Sequence, residues 1–113
     1  MAIAAISALT IGVPLTGTVS QYAAITAAGV IATAAGRAVG FAQTAGTSGQ
    51  RVPTTVLGTS IAIASAAIAV GAQVEVVGAA GQVVTKSAGV AIGVALTASA
   101  AVGDQIEILL IPN

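Results

Sequence analysis

The sequence predicts an all-β domain: a small, compact barrel or sandwich of short strands joined by glycine turns, built as two similar halves. Three observations carry that expectation. Glycine occurs 14 times in 113 residues, and Val, Ile and Thr are frequent, so the residues that favour pleated surfaces and turns outweigh the helix preference of Ala. Gln105-Ile106-Glu107-Ile108 alternates polar and apolar, the period of a half-buried strand. Segments of the first half also return in the second. Val39-Gly40-Phe41-Ala42 matches Ile92-Gly93-Val94-Ala95 at an offset of 53, and Gly49-Gln50-Arg51-Val52 matches Gly103-Asp104-Gln105-Ile106 at 54. Gln21 to Ile25, followed by Ala27-Ala28-Gly29, matches Gln73 to Val77, followed by Ala79-Ala80-Gly81, at 52. Offsets that drift by single residues fit a diverged tandem duplication.

Taken in order, residues 1–14 read as an N-terminal arm or edge strand. Ile3, Ile6, Leu9, Ile11 and Val13 recur through it, and Pro14, which cannot donate to a ladder, closes it. Residues 15–113 form a single β-domain with approximate repeats 15–58 and 59–111. In the first repeat, Leu15 to Ala24 and Val30 to Thr33 are expected as strands, divided by a turn at Ala27-Ala28-Gly29. A second turn at Ala34-Ala35-Gly36-Arg37 leads into a strand at Ala38 to Ala42. Thr44 to Gly49 is a polar, Gly-rich loop. Gln50 to Leu57 is a further strand, which Pro53 places at an edge or a bulge. The pattern restarts after Gly58, and Gly103-Asp104 supplies a turn before the last strand.

The composition excludes several classes of function. Lys+Arg and Asp+Glu number 3 each and cancel. Three scattered cations, Arg37, Arg51 and Lys86, cannot form the basic footprint that nucleic-acid binding requires. The chain has no cysteine and no histidine, which removes disulfides, thiolate chemistry, the usual zinc ligands and the usual general base. Asp104, Glu107 and Glu75 supply too few oxygens for calcium, which takes six or more. No Gly-Lys-Ser/Thr sequence occurs, so the Gly36-Arg37-Ala38-Val39-Gly40 stretch reads as turn glycines rather than a phosphate loop. A serine nucleophile would need Lys86 as base, a rare arrangement. The chain is expected to be no enzyme, with no cofactor and no metal.

Hydropathy alone would suggest a membrane. The best candidate span, Ile61 to Ala72, is about half the ~20 residues a spanning helix needs, and one Tyr with one Phe cannot build the aromatic girdles of a membrane barrel. No membrane partner is expected. Yet 57% of residues are hydrophobic and 5% charged, against about 25% charged in ordinary soluble domains. A lone globule of this size would expose much of that apolar surface, so the composition predicts an assembly or a chain docked on a larger body. Candidate interface residues are Ile3, Ile6 and Leu9 on the arm, with Arg37, Arg51 and Lys86 as charged contacts at a rim.

The segment from Gly89 to Leu110, reading GVAIGVALTASAAVGDQIEILL, resembles the closing segment of the small capsid decoration, or cement, proteins of tailed bacteriophages. Gly81-Gln82-Val83-Val84-Thr85-Lys86 resembles the strand that precedes it there. The resemblance covers residues 70–111, and it implies a compact β-domain and a structural role in the virion. Such proteins sit on the outer surface of the phage head, usually as trimers or other homo-oligomers, and stabilise it by clamping neighbouring major capsid subunits. Another phage structural part, such as a head-fibre base or a tail protein, and a membrane-associated β-protein are the alternatives.

Overall fold

The computed structural model describes residues 6–77 and 80–111. Its strands are β1 (Ser7–Pro14), β2 (Ala24–Ile25), β3 (Gly40–Ala42), β4 (Arg51–Ile63), β5 (Gln73–Val77), β6 (Gln82–Thr85), β7 (Gly93–Ala95) and β8 (Gln105–Leu110). No helix occurs among the described residues. The sheet runs β2-β3-β4-β8-β7-β5-β6, with β1 added on β4, and these strand pairs are antiparallel. A parallel bridge between Ala64 and Val83, reinforced by Ser65 N–H donating to the Val83 carbonyl at 2.8 Å, brings the end of β4 against β6. The sheet thus nearly closes into a barrel, as the all-β expectation requires.

β4 holds the two halves together. Its first part pairs with β1 (Val13 opposite Val52, Ile11 opposite Thr54) and with β3 (Phe41 opposite Thr55). Its last five residues pair with β8, from Thr59 opposite Leu109 to Ile63 opposite Gln105. At about 3.3 Å per residue, a straight 13-residue strand would be about 40 Å long, more than the 36 Å longest extent of the molecule, so β4 bends. Two glycines let its neighbours come close. Gly58 has φ +95, and a Cβ there would lie 2.4 Å from the Ile6 carbonyl oxygen; Gly40 on β3 lies so close to β4 that its Cβ would meet the Thr55 carbonyl oxygen at 2.2 Å.

Three sequence-level expectations are corrected. Gly58 does not end a strand, because its left-handed backbone absorbs the register shift of β1 and β4 continues to Ile63. Pro53 does not mark an edge: β4 is paired on both sides. The missing N–H falls just beyond the end of the β3 ladder, where the Gln43 carbonyl is served instead by the Gln21 side-chain amide at 3.2 Å. Leu15–Ala24 and Val30–Thr33 are not continuous strands. Tyr22 at φ 64 kinks the first, leaving one bridge at Val19 and Ala24 as the first residue of β2, and the second keeps a single bridge at Ile31.

The core divides into two clusters. The larger one draws Phe41, Ile68, Val74, Val76, Val83, Ile92, Ile106 and Ile108 from both halves, with Ala24, Ala62, Ala64 and Ala95 filling the gaps between them. The smaller one lies in the first half around Val13, Leu15, Val19, Ile25 and Val52. Alanine at so many buried positions lets backbones approach closely, which suits a chain with one Phe and no Trp. Buried positions of β4 carry hydroxyls at Thr54, Thr55 and Ser60. Thr54 donates to the Val52 carbonyl, and Ser60 accepts from Gln43 at 3.0 Å, so these groups are paired as burial demands.

Backbone hydrogen bonds of residues 15–53 recur in residues 64–107. Leu15 N–H donates to Gln50 and Ala64 N–H to Asp104; Val19 and Gly46 exchange bonds, as do Ile68 and Ser99. Tyr22 N–H donates to Ala42 and Gly71 N–H to Ala95; Gln43 N–H donates to Pro53 and Leu96 N–H to Glu107. The offset is 49 early in the unit (19 to 68, 22 to 71) and 53 or 54 later (46 to 99, 50 to 104). The backbone therefore does not follow the alignment of Gln21–Ile25 with Gln73–Val77 at 52.

Gly40→Ala and Gly58→Ala test the dependence on β4. Each inserts a methyl against backbone, and overpacking of that kind costs about 1–3 kcal/mol; Gly58→Ala adds the strain of a left-handed alanine, about 1–2 kcal/mol. Urea denaturation followed by circular dichroism is expected to show both losses. The larger loss belongs to Gly58→Ala.

Candidate interaction surface

The ionisable groups are dispersed or already engaged with backbone. Asp104 accepts hydrogen bonds from Ala100 N–H at 2.9 Å and Ala101 N–H at 3.1 Å, closing the turn before β8. Gln50, its counterpart in the first half, accepts from Thr47 N–H at 2.8 Å. Glu75 on β5 is buried and accepts from Ser87 N–H, and Gly89 packs so tightly on it that a Cβ there would overlap Oε2. It therefore ties the 86–90 loop to the barrel. The described residues contain no group of three or more His, Cys, Asp or Glu able to hold a metal.

The predicted contact residues are solvent-exposed where the structure describes them, and they do not form one cluster. Arg37 follows the turn at Ala34-Ala35, and Lys86 follows β6, its ammonium donating to the Ser87 carbonyl at 3.3 Å. Arg51 opens β4; its side chain lies over Gly12 and donates to that carbonyl at 3.0 Å. Ile6 and Leu9 lie on or beside β1, exposed at 69% and 46%. Ile3 lies outside the described residues.

β1 is the feature from which an interaction surface can be built. It pairs with β4 alone, and all but Val13 of its residues are exposed, on both faces. Leu9 and Ile11 on β1, Leu57 on β4 and Leu109 on β8 are exposed large apolar side chains. Beside them a hollow of about 300 Å³ is lined by Leu9, Val39, Phe41, Val56, Leu57, Ile92 and Leu110. Leu57 and Leu109 escape sequence reasoning because strand alternation shows that one face is apolar but not that nothing covers it. An unpaired strand edge beside an uncovered apolar hollow can bind by backbone addition and apolar contact. It offers no nucleophile, acid or metal ligand.

Fold and surface give an all-β domain with an exposed apolar strand edge. The family model of phage cement proteins matches residues 10–110 of the chain, nearly its whole length, and the chain belongs to that family. The family's role is to stabilise the phage capsid, which makes this chain a virion component with a structural, non-enzymatic role. No curated protein and no solved structure matches it.

Removing the Asp104 carboxylate leaves two turn N–H groups without their partner. Asp104→Ala is expected to destabilise the fold by about 1.5–3 kcal/mol, the range for hydrogen bonds to a charged group. Asp104→Gln, which installs the group used at position 50, is expected to recover part of that loss. Equilibrium denaturation of the three proteins measures both effects.

Proposed function

We propose that this protein binds the outer surface of a phage head as a homo-oligomer, with a trimer as the expected form, and stabilises the shell by clamping neighbouring major capsid subunits. The observation that carries the reading is β1, a strand with one free edge and apolar side chains on a nearly closed domain. In a phage cement protein such a strand is available to a neighbour's backbone, and the hollow beside it accepts a neighbour's apolar side chain. Ile6 and Leu9, with Ile3 ahead of them, are the apolar contacts of this arm. Arg37, Arg51 and Lys86 are rim charges that set orientation rather than affinity. Repetition on a lattice multiplies contacts that are individually weak. The recurring hydrogen bonds support a further proposal, that residues 15–58 and 59–111 descend from one duplicated unit.

Light scattering gives the mass of the purified protein, and co-sedimentation with undecorated expanded heads gives its binding. The account expects a discrete oligomer that sediments with heads and raises their resistance to heat. A monomer that leaves heads unbound and no more heat-resistant would overturn it. Ile6→Asp with Leu9→Asp is expected to weaken head binding or oligomerisation at least tenfold, and to change unfolding by less than about 1 kcal/mol because both side chains are exposed.

A further inference from the structure

β1 has one free edge, and the register of the sheet fixes which of its residues face it. Gln43 N–H donates to the Pro53 carbonyl at 2.9 Å, and Phe41 lies opposite Thr55. Pro53 and Thr55 therefore turn their backbone groups toward β3, while Val52 and Thr54 turn theirs toward β1. Val13 and Ile11, opposite Val52 and Thr54, are the bonded partners. Thr10, Gly12 and Pro14 face outward, away from β4. An edge of this composition is a hazard. Residues 8–13, Ala-Leu-Thr-Ile-Gly-Val, hold no charge and no proline, and all but Val13 are exposed. Uncharged segments of this length, rich in strand-forming residues and left on an open edge, template pairing with further copies. Edge strands are commonly protected by a charge of their own, yet the first charged side chain in the sequence is Arg37.

The neighbouring strand supplies the protection. Arg51 lies opposite Pro14 on β4, and its side chain reaches across β1. Its Cδ passes over Gly12, 3.9 Å from where a Cβ would stand, and Nη1 donates to the Gly12 carbonyl at 3.0 Å. That carbonyl faces the free edge, so the guanidinium occupies an acceptor that an added strand would need. Pro14, the next outward residue, has no N–H to offer. Its carbonyl sits under the turn at Gly29, where a Cβ would meet it at 2.1 Å. Gly12 and Pro14 are thus closed to an incoming strand, and Thr10 stays open.

We propose that Arg51 guards the β1 edge: with Pro14, it prevents a second copy of this chain from pairing along the whole strand and confines backbone addition to the stretch around Thr10. A strand added over Gly12 must either break the charge-assisted bond or bury the cation. A β1–β1 pair would also bring two such cations together, and like charges across a strand pair are destabilising. The role is additional to orienting a neighbour at a rim. It stands on the geometry of β1 and β4 and does not depend on the cement-protein reading, although it narrows the part of β1 which that reading can use.

Three variants test it. Arg51→Met keeps the apolar stem and removes the charge and its donors, and Arg51→Lys keeps the charge. Arg51→Met combined with Thr10→Pro deletes the outward N–H that remains open, without taking a bond from the ladder with β4. Mass by light scattering, thioflavin T fluorescence and melting by circular dichroism are measured for each, with no heads present. Wild type and Arg51→Lys are expected to hold one mass at all concentrations. Arg51→Met is expected to rise at least ~5-fold in mass over a ~100-fold increase in concentration, with dichroism and melting retained, as an unguarded edge propagates. The double variant returns to the wild-type mass. Arg51→Met at constant mass overturns the proposal. So does a mass below wild type, which makes Arg51 a contact between subunits, and so does growth that Thr10→Pro leaves untouched, which puts the association elsewhere. Growth with loss of native dichroism is aggregation of unfolded chain and overturns it as well. None of these outcomes bears on head binding, so the cement reading stands or falls separately.

Discussion

Backbone pairing along β4 is the constraint on which the rest of the structure depends. One strand holds β1 and β3 along its first part and β8 along its last five residues, so both halves take their positions from it. That arrangement needs close approach of backbones, and it explains why glycine and alanine stand where larger residues would give more burial. Gly40 sits against the Thr55 carbonyl and Gly58 against the Ile6 carbonyl, while Ala62 and Ala64 in and after β4 are fully buried. The core gives up side-chain volume and keeps continuous hydrogen bonding across nearly the whole barrel. Such a core is thin, which leaves apolar area to spare on the surface.

That surplus is the surface on which the proposed contacts are built. The chain belongs to the phage cement family, and a protein of that kind requires contact area and repetition rather than reactive groups. The few carboxylates present serve the fold: Asp104 closes a turn, and Glu75 fixes a loop. The apolar surface that remains is not spread evenly. Part of it lies along β1 with the neighbouring hollow, and Val70, Leu96 and Val102 are exposed in other loops.

Much of the fold was legible because local chemistry and global structure agree. Gln105-Ile106-Glu107-Ile108 alternates and forms β8; Gln73 to Val77 and Gly93 to Ala95 are strands; Gly103-Asp104 turns. Residues 15–23 misled because Thr, Val and Tyr favour pleated surfaces, whereas Tyr22 adopts a left-handed backbone that no propensity reveals. Gly58 misled in the opposite sense: read as punctuation, it is a bulge inside the longest strand. The exposure of Ile6 and Leu9 and the charges of Arg37, Arg51 and Lys86 could be foreseen as surface features. The exposure of Leu57 and Leu109 could not, because alternation identifies a face without saying what lies against it, and the matching of Val70 to Gln21 emerges only from hydrogen bonds. The offset of 49 between those positions is hidden in sequence by the more conspicuous 52.

The most direct test of the account is an electron cryomicroscopy map of heads decorated with this protein, at a resolution that traces β4. The account predicts density on the outer surface, with β1 and the hollow beside it against a neighbouring subunit or capsid protein. Density with β1 facing solvent, or heads that carry no such density, would contradict it.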